Sequence, residues 1–214
     1  DAPLLMGVVN VTPDSFSDGG DYLDHEAAIA RGLALVQEGA SIIDVGGGST
    51  RPGAAPVSQD EEIRRIEPVV RALSAQGVLV SVDTRNARVM TAAIAAGATV
   101  VNDVTALTHD PEALSVVAES GCNVMLMHMQ GQPQTMQQEP HYRHASADVY
   151  DYLRERRDVC LKAGLNLENI SVDPGIGFGK TDAHNLLILR QMAMFQGLGC
   201  AVTLGVSRKS FIGR

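Results

Sequence analysis

Seven short apolar runs punctuate the chain, and each ends in a polar residue able to bind or react. Residues 4–9 lead into Asn10, 42–43 into Asp44, 78–82 into Asp83, and 100–101 into Asn102 and Asp103. Residues 124–127 then lead into His128, 170–172 into Asp173, and 202–206 into Ser207, Arg208 and Lys209. Runs of this length, separated by stretches of helical periodicity, predict buried parallel strands alternating with helices. Polar residues at the C-terminal ends of such strands form the ligand-binding mouth of an α/β protein.

The intervening stretches carry helix signals of their own. A helix is expected over about 26–38, with Ile29, Leu33 and Val36 on one face and Gly39 as its stop. Ser58-Gln59-Asp60-Glu61 has capping-box spacing, so Ser58 is expected to start the next helix. Ile63, Ile66, Val70 and Leu73 would line its buried face, with a kink at Pro68. A third helix should span 87–96 and end at Gly97, and Asp110-Pro111 should open a fourth with Pro at its first position. Helices over about 145–163 and 182–196 complete the series, and residues 129–144 read as polar and irregular. Loops of substance follow most strands, and polar tips occur along the whole chain rather than beside one switch point. Both features favour a closed barrel over a doubly wound sheet. The expected fold is α/β, a (β/α)8 TIM barrel lacking its last βα unit, in one domain over residues 1–214. The chain reaches Phe211 where a seventh helix would begin.

Composition narrows the function. A chain of 214 residues, 45% of them hydrophobic, can bury roughly 70% of its unfolded surface without disulfides. The net charge of −8 argues against a nucleic-acid partner or an anionic membrane surface. A local basic cluster can still hold a small anionic substrate. Cys122, Cys160 and Cys200 are widely spaced and show no CxxC pair, which points to a reducing, cytoplasmic home. No basic-then-apolar leader and no run of membrane-spanning length is present.

Several segments at the strand ends read as motifs. Asn10-Val-Thr-Pro-Asp14-Ser-Phe16-Ser-Asp18-Gly-Gly20 follows the first run, and Asp44-Val-Gly-Gly-Gly48-Ser-Thr50-Arg51-Pro52-Gly53 the second. Ser81-Val-Asp83-Thr84, Asn102-Asp103, Leu126-Met-His-Met129, Asp173-Pro-Gly-Ile-Gly-Phe-Gly-Lys180 and Ser207-Arg-Lys-Ser210 come later. Four side chains at four strand ends, Asp83, Asn102, Asp173 and Lys209, can between them accept from an amine and ring N–H, serve an amide edge and donate to a carbonyl. Taken singly, a buried Asp or Asn caps a neighbouring loop about as often as it binds a ligand. Gly175-Ile-Gly177-Phe-Gly179 lacks either phosphate-loop spacing. His141 and His144 form no zinc pattern. His128 could face the mouth or be a satisfied structural histidine.

In these motifs, in their order and spacing, the sequence resembles the bacterial dihydropteroate synthases over essentially its whole length. The resemblance implies a (β/α)8 barrel that joins 6-hydroxymethyl-7,8-dihydropterin diphosphate to 4-aminobenzoate, releasing diphosphate. It implies Asp83, Asn102, Asp173 and Lys209 as the pterin-holding set, with Met127 as lining. It implies Asn10 as a magnesium contact, and Thr50 and Arg51 at the diphosphate. Phe16, Pro52 and Ser210 would form the aminobenzoate pocket. Asp18 would stabilise a pterin cation in an SN1-like path, so that Asp18, Arg51 and Lys209 carry the catalysis. Sulfonamides would compete with 4-aminobenzoate, and the protein would be a homodimer. Two departures stand out: Gly48 replaces the Glu of the family's second loop, and the family's Arg-x-His pair on the last strand has no counterpart. Two other readings stay open, a methyltetrahydrofolate-type pterin methyltransferase and a pterin-binding protein without turnover.

Overall fold

The computed structural model describes residues 3–12, 21–48, 57–131, 136 and 140–213. Its strands are β1 (Met6–Asn10), β2 (Ile42–Gly46), β3 (Leu79–Asp83), β4 (Val100–Asp103), β5 (Asn123–Met127), β6 (Ile170–Asp173) and β7 (Ala201–Val202). They form one sheet in sequence order, each parallel to the next. This is the strand order of a (β/α)8 barrel without its eighth strand. Among the described residues β1 pairs only with β2, and Val8 on it is exposed.

The strand period of two divides the residues between two faces. Val9, Ile43, Val45, Val80, Val82, Val101, Val124 and Leu126 are buried against the helix layer in one large core. A second core lies under Leu153, Ile188 and Phe195, against Val172. The opposite parity carries Asp44, Ser81, Asp83, Asn102, Met125, Met127 and Asp173, which therefore share the interior of the curved sheet. Register then groups them in layers: Asp44 pairs with Ser81, Asp83 with both Gly46 and Asn102, and Met127 with Asp173.

Helix α1 (Asp21–Gln37) begins earlier than its periodicity predicts. Helix α2 (Gln59–Ala75) starts at Ser58, whose side chain accepts from the Glu61 N–H at 3.3 Å. The Glu61 carboxylate turns to Arg64 and Arg65 instead of back to the cap, so half of the expected box forms. The buried face of α2 is Glu62, Ile66, Val69, Val70 and Leu73, and the helix continues through Pro68. Helix α3 (Ala87–Ala96) ends at left-handed Gly97 as expected. Its cap is supplied from a distance, because the Ala87 N–H donates to Asp110 Oδ2 at 2.9 Å. Asp110 also accepts from the Glu112 N–H at 3.0 Å at the entry to α4 (Ala113–Ser120), but that helix starts beyond Pro111, which is therefore not its first residue.

Helices α5 (Ala145–Lys162) and α6 (Asp182–Arg190) follow. The single helix expected to 196 changes pitch at Gln191 into a 3-10 segment, Met192–Leu198. The last strand is also shorter and earlier than the run at 202–206 predicts, because the chain leaves the sheet after Val202. A 3-10 turn, Ser210–Gly213, stands where a seventh helix was expected to begin. Among the described residues no helix is long and apolar enough to cross a membrane.

The loop after β6 makes the tightest backbone approach near the mouth. Gly175 has φ 67°, and a Cβ on it would lie on the carbonyl oxygen of His128. Among the described residues a Cβ on Gly48 would meet nothing within 4 Å. Gly175→Ala should therefore cost roughly 2–3 kcal/mol in urea denaturation, whereas Gly48→Ala should stay within about 1 kcal/mol of the parent protein.

Candidate active site

The strand ends gather two groups of polar side chains on either side of β5. The first spans β1 to β4. Asp44 is buried, and its Oδ2 accepts a hydrogen bond from Asn102 Nδ2 at 3.0 Å. That bond passes over β3 and joins β2 to β4 through the interior. Asp83 stands between them, in register with Asn102. Asn10 ends β1 exposed, and its Oδ1 and Asp83 Oδ2 both flank Gly46, 3.4 and 3.6 Å from where a Cβ on that glycine would sit. A side chain at position 46 would thus occupy the space between them.

Charge crowding follows from this placement. Burial raises the Asp44 carboxyl above its ordinary range, and hydrogen bonding to Ser81 and Asn102 pulls back. Ser81 Oγ lies near enough to soften the rise, yet neither it nor Asp44 Oδ1 completes a bond of good geometry. Asp83 is raised well above the usual carboxylate value, first by burial, then by the charges of Asp44, Asp103 and Glu62. Proton uptake here belongs to the Asp44–Asp83 pair rather than to either residue alone.

The second group spans β6 and β7. Asp173 Oδ1 accepts from the Gly175 N–H at 2.7 Å, which fixes the carboxylate, and Oδ2 lies toward Gly205. Burial raises Asp173 to about 6, against the lowering influence of that N–H and of Lys180 and Lys209. Lys209 is half-buried beside Gly177, its ammonium 4.5 Å from the centre of the Phe178 ring. Burial lowers its pKa and the Asp173 charge raises it. Behind Asp173 lies Lys180, only 3% exposed. Its Nζ donates to the carbonyls of Gly175 at 2.8 Å, Phe178 at 3.0 Å and His128 at 3.3 Å, with His128 Nδ1 at 3.0 Å. Burial drives Lys180 down to about 7 and His128 down to about 3. His128 is thus neutral, edge-on to the Tyr152 ring and tied to Lys180, which decides for the structural histidine.

Met127, 5% exposed and in register with Asp173, lies between the two groups. Of the residues singled out from sequence, Asn10, Asp83, Asn102, Met127, Asp173 and Lys209 all come to this one edge of the sheet. Phe16, Asp18, Thr50, Arg51 and Pro52 lie outside the described residues, as does the side chain of Ser210. Asp44 and Lys180 were legible only as parts of motifs, and the interior contacts above give them weight. Asp103, also a strand tip, faces away: it holds the next turn through Thr105 and the Leu107 N–H.

Among the described residues no group of three or more His, Cys, Asp or Glu side chains could hold a metal ion. Asn10 offers one amide oxygen at the open end of β1. A single amide oxygen is by itself a weak hold on a metal. It fits a magnesium ion that brings most of its own ligands as water and phosphate oxygens.

A family model described as "Pterin binding enzyme" matches residues 6–214. The dihydropteroate synthase of Escherichia coli strain K12 is 45% identical over 213 residues, 99% of this chain and 75% of that protein. Two solved structures of a Xanthomonas albilineans dihydropteroate synthase superpose closely. The form with 4-aminobenzoic acid has a TM-score of 0.92 at 48% identity, covering 100% of this chain and 76% of that one. The form in complex with 7,8-dihydropteroate has a TM-score of 0.87 at 45% identity, with the same coverage.

Lys180 supplies the sharpest test of the site's construction. Lys180→Met would remove the amine that ties the carbonyls of His128, Gly175 and Phe178 to the His128 ring, and should cost about 3 kcal/mol of stability. The pH dependence has a definite sign. With Lys180 held near 7 in the folded state and 10.5 as its ordinary value, the unfolded chain binds the extra proton between those values. Its contribution to stability therefore rises with pH across that window. Urea denaturation from pH 7 to 10 should show that rise in the parent protein and its loss in Lys180→Met.

Proposed function

Because the chain belongs to the pterin-binding enzymes, and among them to the dihydropteroate synthases, we propose that Asp83, Asn102, Asp173 and Lys209 are its pterin-holding residues. The reaction is the condensation of 6-hydroxymethyl-7,8-dihydropterin diphosphate with 4-aminobenzoate to 7,8-dihydropteroate and diphosphate. The observation that carries the assignment is the order of polar groups along the strand ends. A cation in the segment after β7, a carboxylate at the end of β6, an amide on β4 and a carboxylate at the end of β3 follow one another. Around a dihydropterin, the 4-carbonyl, the N3–H with the 2-amino group, the N1 acceptor and the N8–H donor follow in the same sequence. Lys209 then serves the carbonyl and Asp173 the two adjacent donors, through the oxygen that Gly175 leaves open. At the far edge the Asn102 amide spans N1 and the N8–H with its N–H and oxygen, Asp83 accepts from the N8–H beside it, and Met127 supplies apolar lining.

The chemistry needs little beyond positioning and charge. Departure of diphosphate from the pterin methylene breaks a C–O bond and leaves a resonance-stabilised cation, in an SN1-like path. The neutral arylamine of 4-aminobenzoate then forms the C–N bond and loses a proton. Stabilisation of separated charge is the main demand. In this reading Thr50 and Arg51 receive the diphosphate, Asp18 faces the developing cation, and Phe16, Pro52 and Ser210 hold the aminobenzoate. Asn10 would hold magnesium by its amide oxygen, where the ion would neutralise phosphate charge. Family membership also supports a homodimer in the cytoplasm and a single domain over residues 1–214. The free cysteines agree with a reducing compartment.

Diphosphate release is the test of the reaction. It should require both the pterin diphosphate and 4-aminobenzoate, and sulfonamides, which share the arylamine and an anionic group, should inhibit competitively against 4-aminobenzoate. Noncompetitive inhibition would place the aminobenzoate pocket elsewhere. The pterin assignment is tested separately by calorimetry with 6-hydroxymethyl-7,8-dihydropterin. Asp173→Asn and Lys209→Ala should each lose about 1.5–3 kcal/mol of binding. Unchanged affinity in both would sink the assignment.

A further inference from the structure

Asp44 has no part in the reading above, yet it is a carboxylate 3% exposed on the interior face of the sheet. Among the described residues its one completed hydrogen bond is to Asn102, at 3.0 Å from Nδ2 to Oδ2. A primary amide has two orientations of nearly the same shape, which exchange an acceptor oxygen for an NH2 donor. An ionised carboxylate only accepts. Asp44 therefore draws the NH2 end of Asn102 toward β2 and leaves the amide oxygen, with one remaining N–H, on the side away from it. The bond spans β2 to β4 across β3 and ties together strands that share no backbone ladder.

The orientation matters for the heterocycle that Asn102 would meet. At the edge opposite the 4-carbonyl, a 7,8-dihydropterin presents an acceptor, N1, beside a donor, N8–H. An amide offering one N–H and one oxygen matches that pair. A fully oxidised pterin presents two acceptors there, so one of them faces the amide oxygen lone pair to lone pair. If the amide turned over, its NH2 would offer two donors and the oxidised ring would fit.

We propose that Asp44 is a positioning residue of the pocket: it locks the Asn102 amide in one orientation and so sets the preference for a 7,8-dihydropterin over its oxidised form. The proposal rests on the reading of Asn102 as a pterin-holding residue. The experiment is calorimetric titration with two probes, 6-hydroxymethyl-7,8-dihydropterin and 6-hydroxymethylpterin. In Asp44→Asn the new side chain is isosteric but can either accept or donate, so the Asn102 amide is free to turn. The ratio of the two dissociation constants should fall by roughly tenfold, or about 1.4 kcal/mol, the scale of one mismatched hydrogen bond. Asp44→Ser, which also accepts or donates, should reproduce the fall. A role confined to stability would weaken both probes alike and leave the ratio in place.

An unchanged ratio in both variants, while Asn102→Ala weakens dihydropterin binding, overturns the role of Asp44 and leaves the pocket standing. Unchanged dihydropterin affinity in Asn102→Ala overturns the pocket reading itself. An amide spectrum of the 15N-labelled parent protein gives a reading that needs no variant at position 44. The two Asn102 side-chain protons should be widely split, one bound to a carboxylate and one not. A narrowly split pair in averaged environments would overturn the proposal.

Discussion

Parallel, in-register pairing is the constraint on which the site depends. Each strand aligns with the next without reversal, so every strand ends on the same edge of the sheet. The period of two then commits one set of side chains to the helix layer and leaves the other to the interior. A polar residue of interior parity near that edge has two surroundings open to it, the mouth or the space beneath. Asp44, Asp83, Asn102 and Asp173 meet there for that reason, from positions far apart in the chain. Desolvation is the direct cost. Burial is the first cause of the raised carboxyls at Asp44, Asp83 and Asp173, and of the lowered amines at Lys180 and Lys209.

The protein meets that cost differently on its two sides. Toward β2 to β4 the acids crowd together and are relieved by an amide and a neighbouring hydroxyl. Toward β6 and β7 a lysine is wrapped in carbonyl oxygens behind a single carboxylate. The methionines of β5 separate the two regions. The mouth is therefore polarised, acceptors at one end and cations at the other, although the chain as a whole is acidic. A planar ligand whose own edge changes from acceptor to donor can be held in one orientation by such a mouth. A symmetric arrangement would hold it in two.

Much of this was legible in the chain because its signals are local. An apolar run that stops at an acid or amide marks a strand end, and Gly97 marks the end of α3 without reference to anything distant. What escaped depends on contacts between remote segments. Asp110 reads as a helix opener and does receive the Glu112 N–H, but its other oxygen receives the N–H of Ala87 at the start of α3. The periodicity after residue 182 continues beyond Arg190, yet packing around Phe195 tightens the helix there. Apolar content predicts a last strand over 202–206, while only Ala201 and Val202 pair in register with β6, and the Thr203 N–H to Val172 closes the ladder. Lys180 looks like the charged end of a glycine-rich surface loop. Only the fold of that loop back over His128 reveals a buried cation. Asp44 reads as one strand tip among several until its bond to Asn102 is seen.

The chain has three lysines, Lys162, Lys180 and Lys209, and the fold gives each a different chemical reactivity. Lys162 is exposed on α5, Lys209 is half-covered at the mouth, and Lys180 is sealed. An amine that ionises near neutrality is largely in its free-base, acylatable form at pH 7, and by that measure Lys180 would be acylated first. Its nitrogen is instead enclosed by the atoms that lower its basicity, so an acylating reagent reaches it only when the loop after β6 opens. The most readily deprotonated of the three lysines is thus the slowest to be modified, and its acylation rate reports how often that loop comes apart.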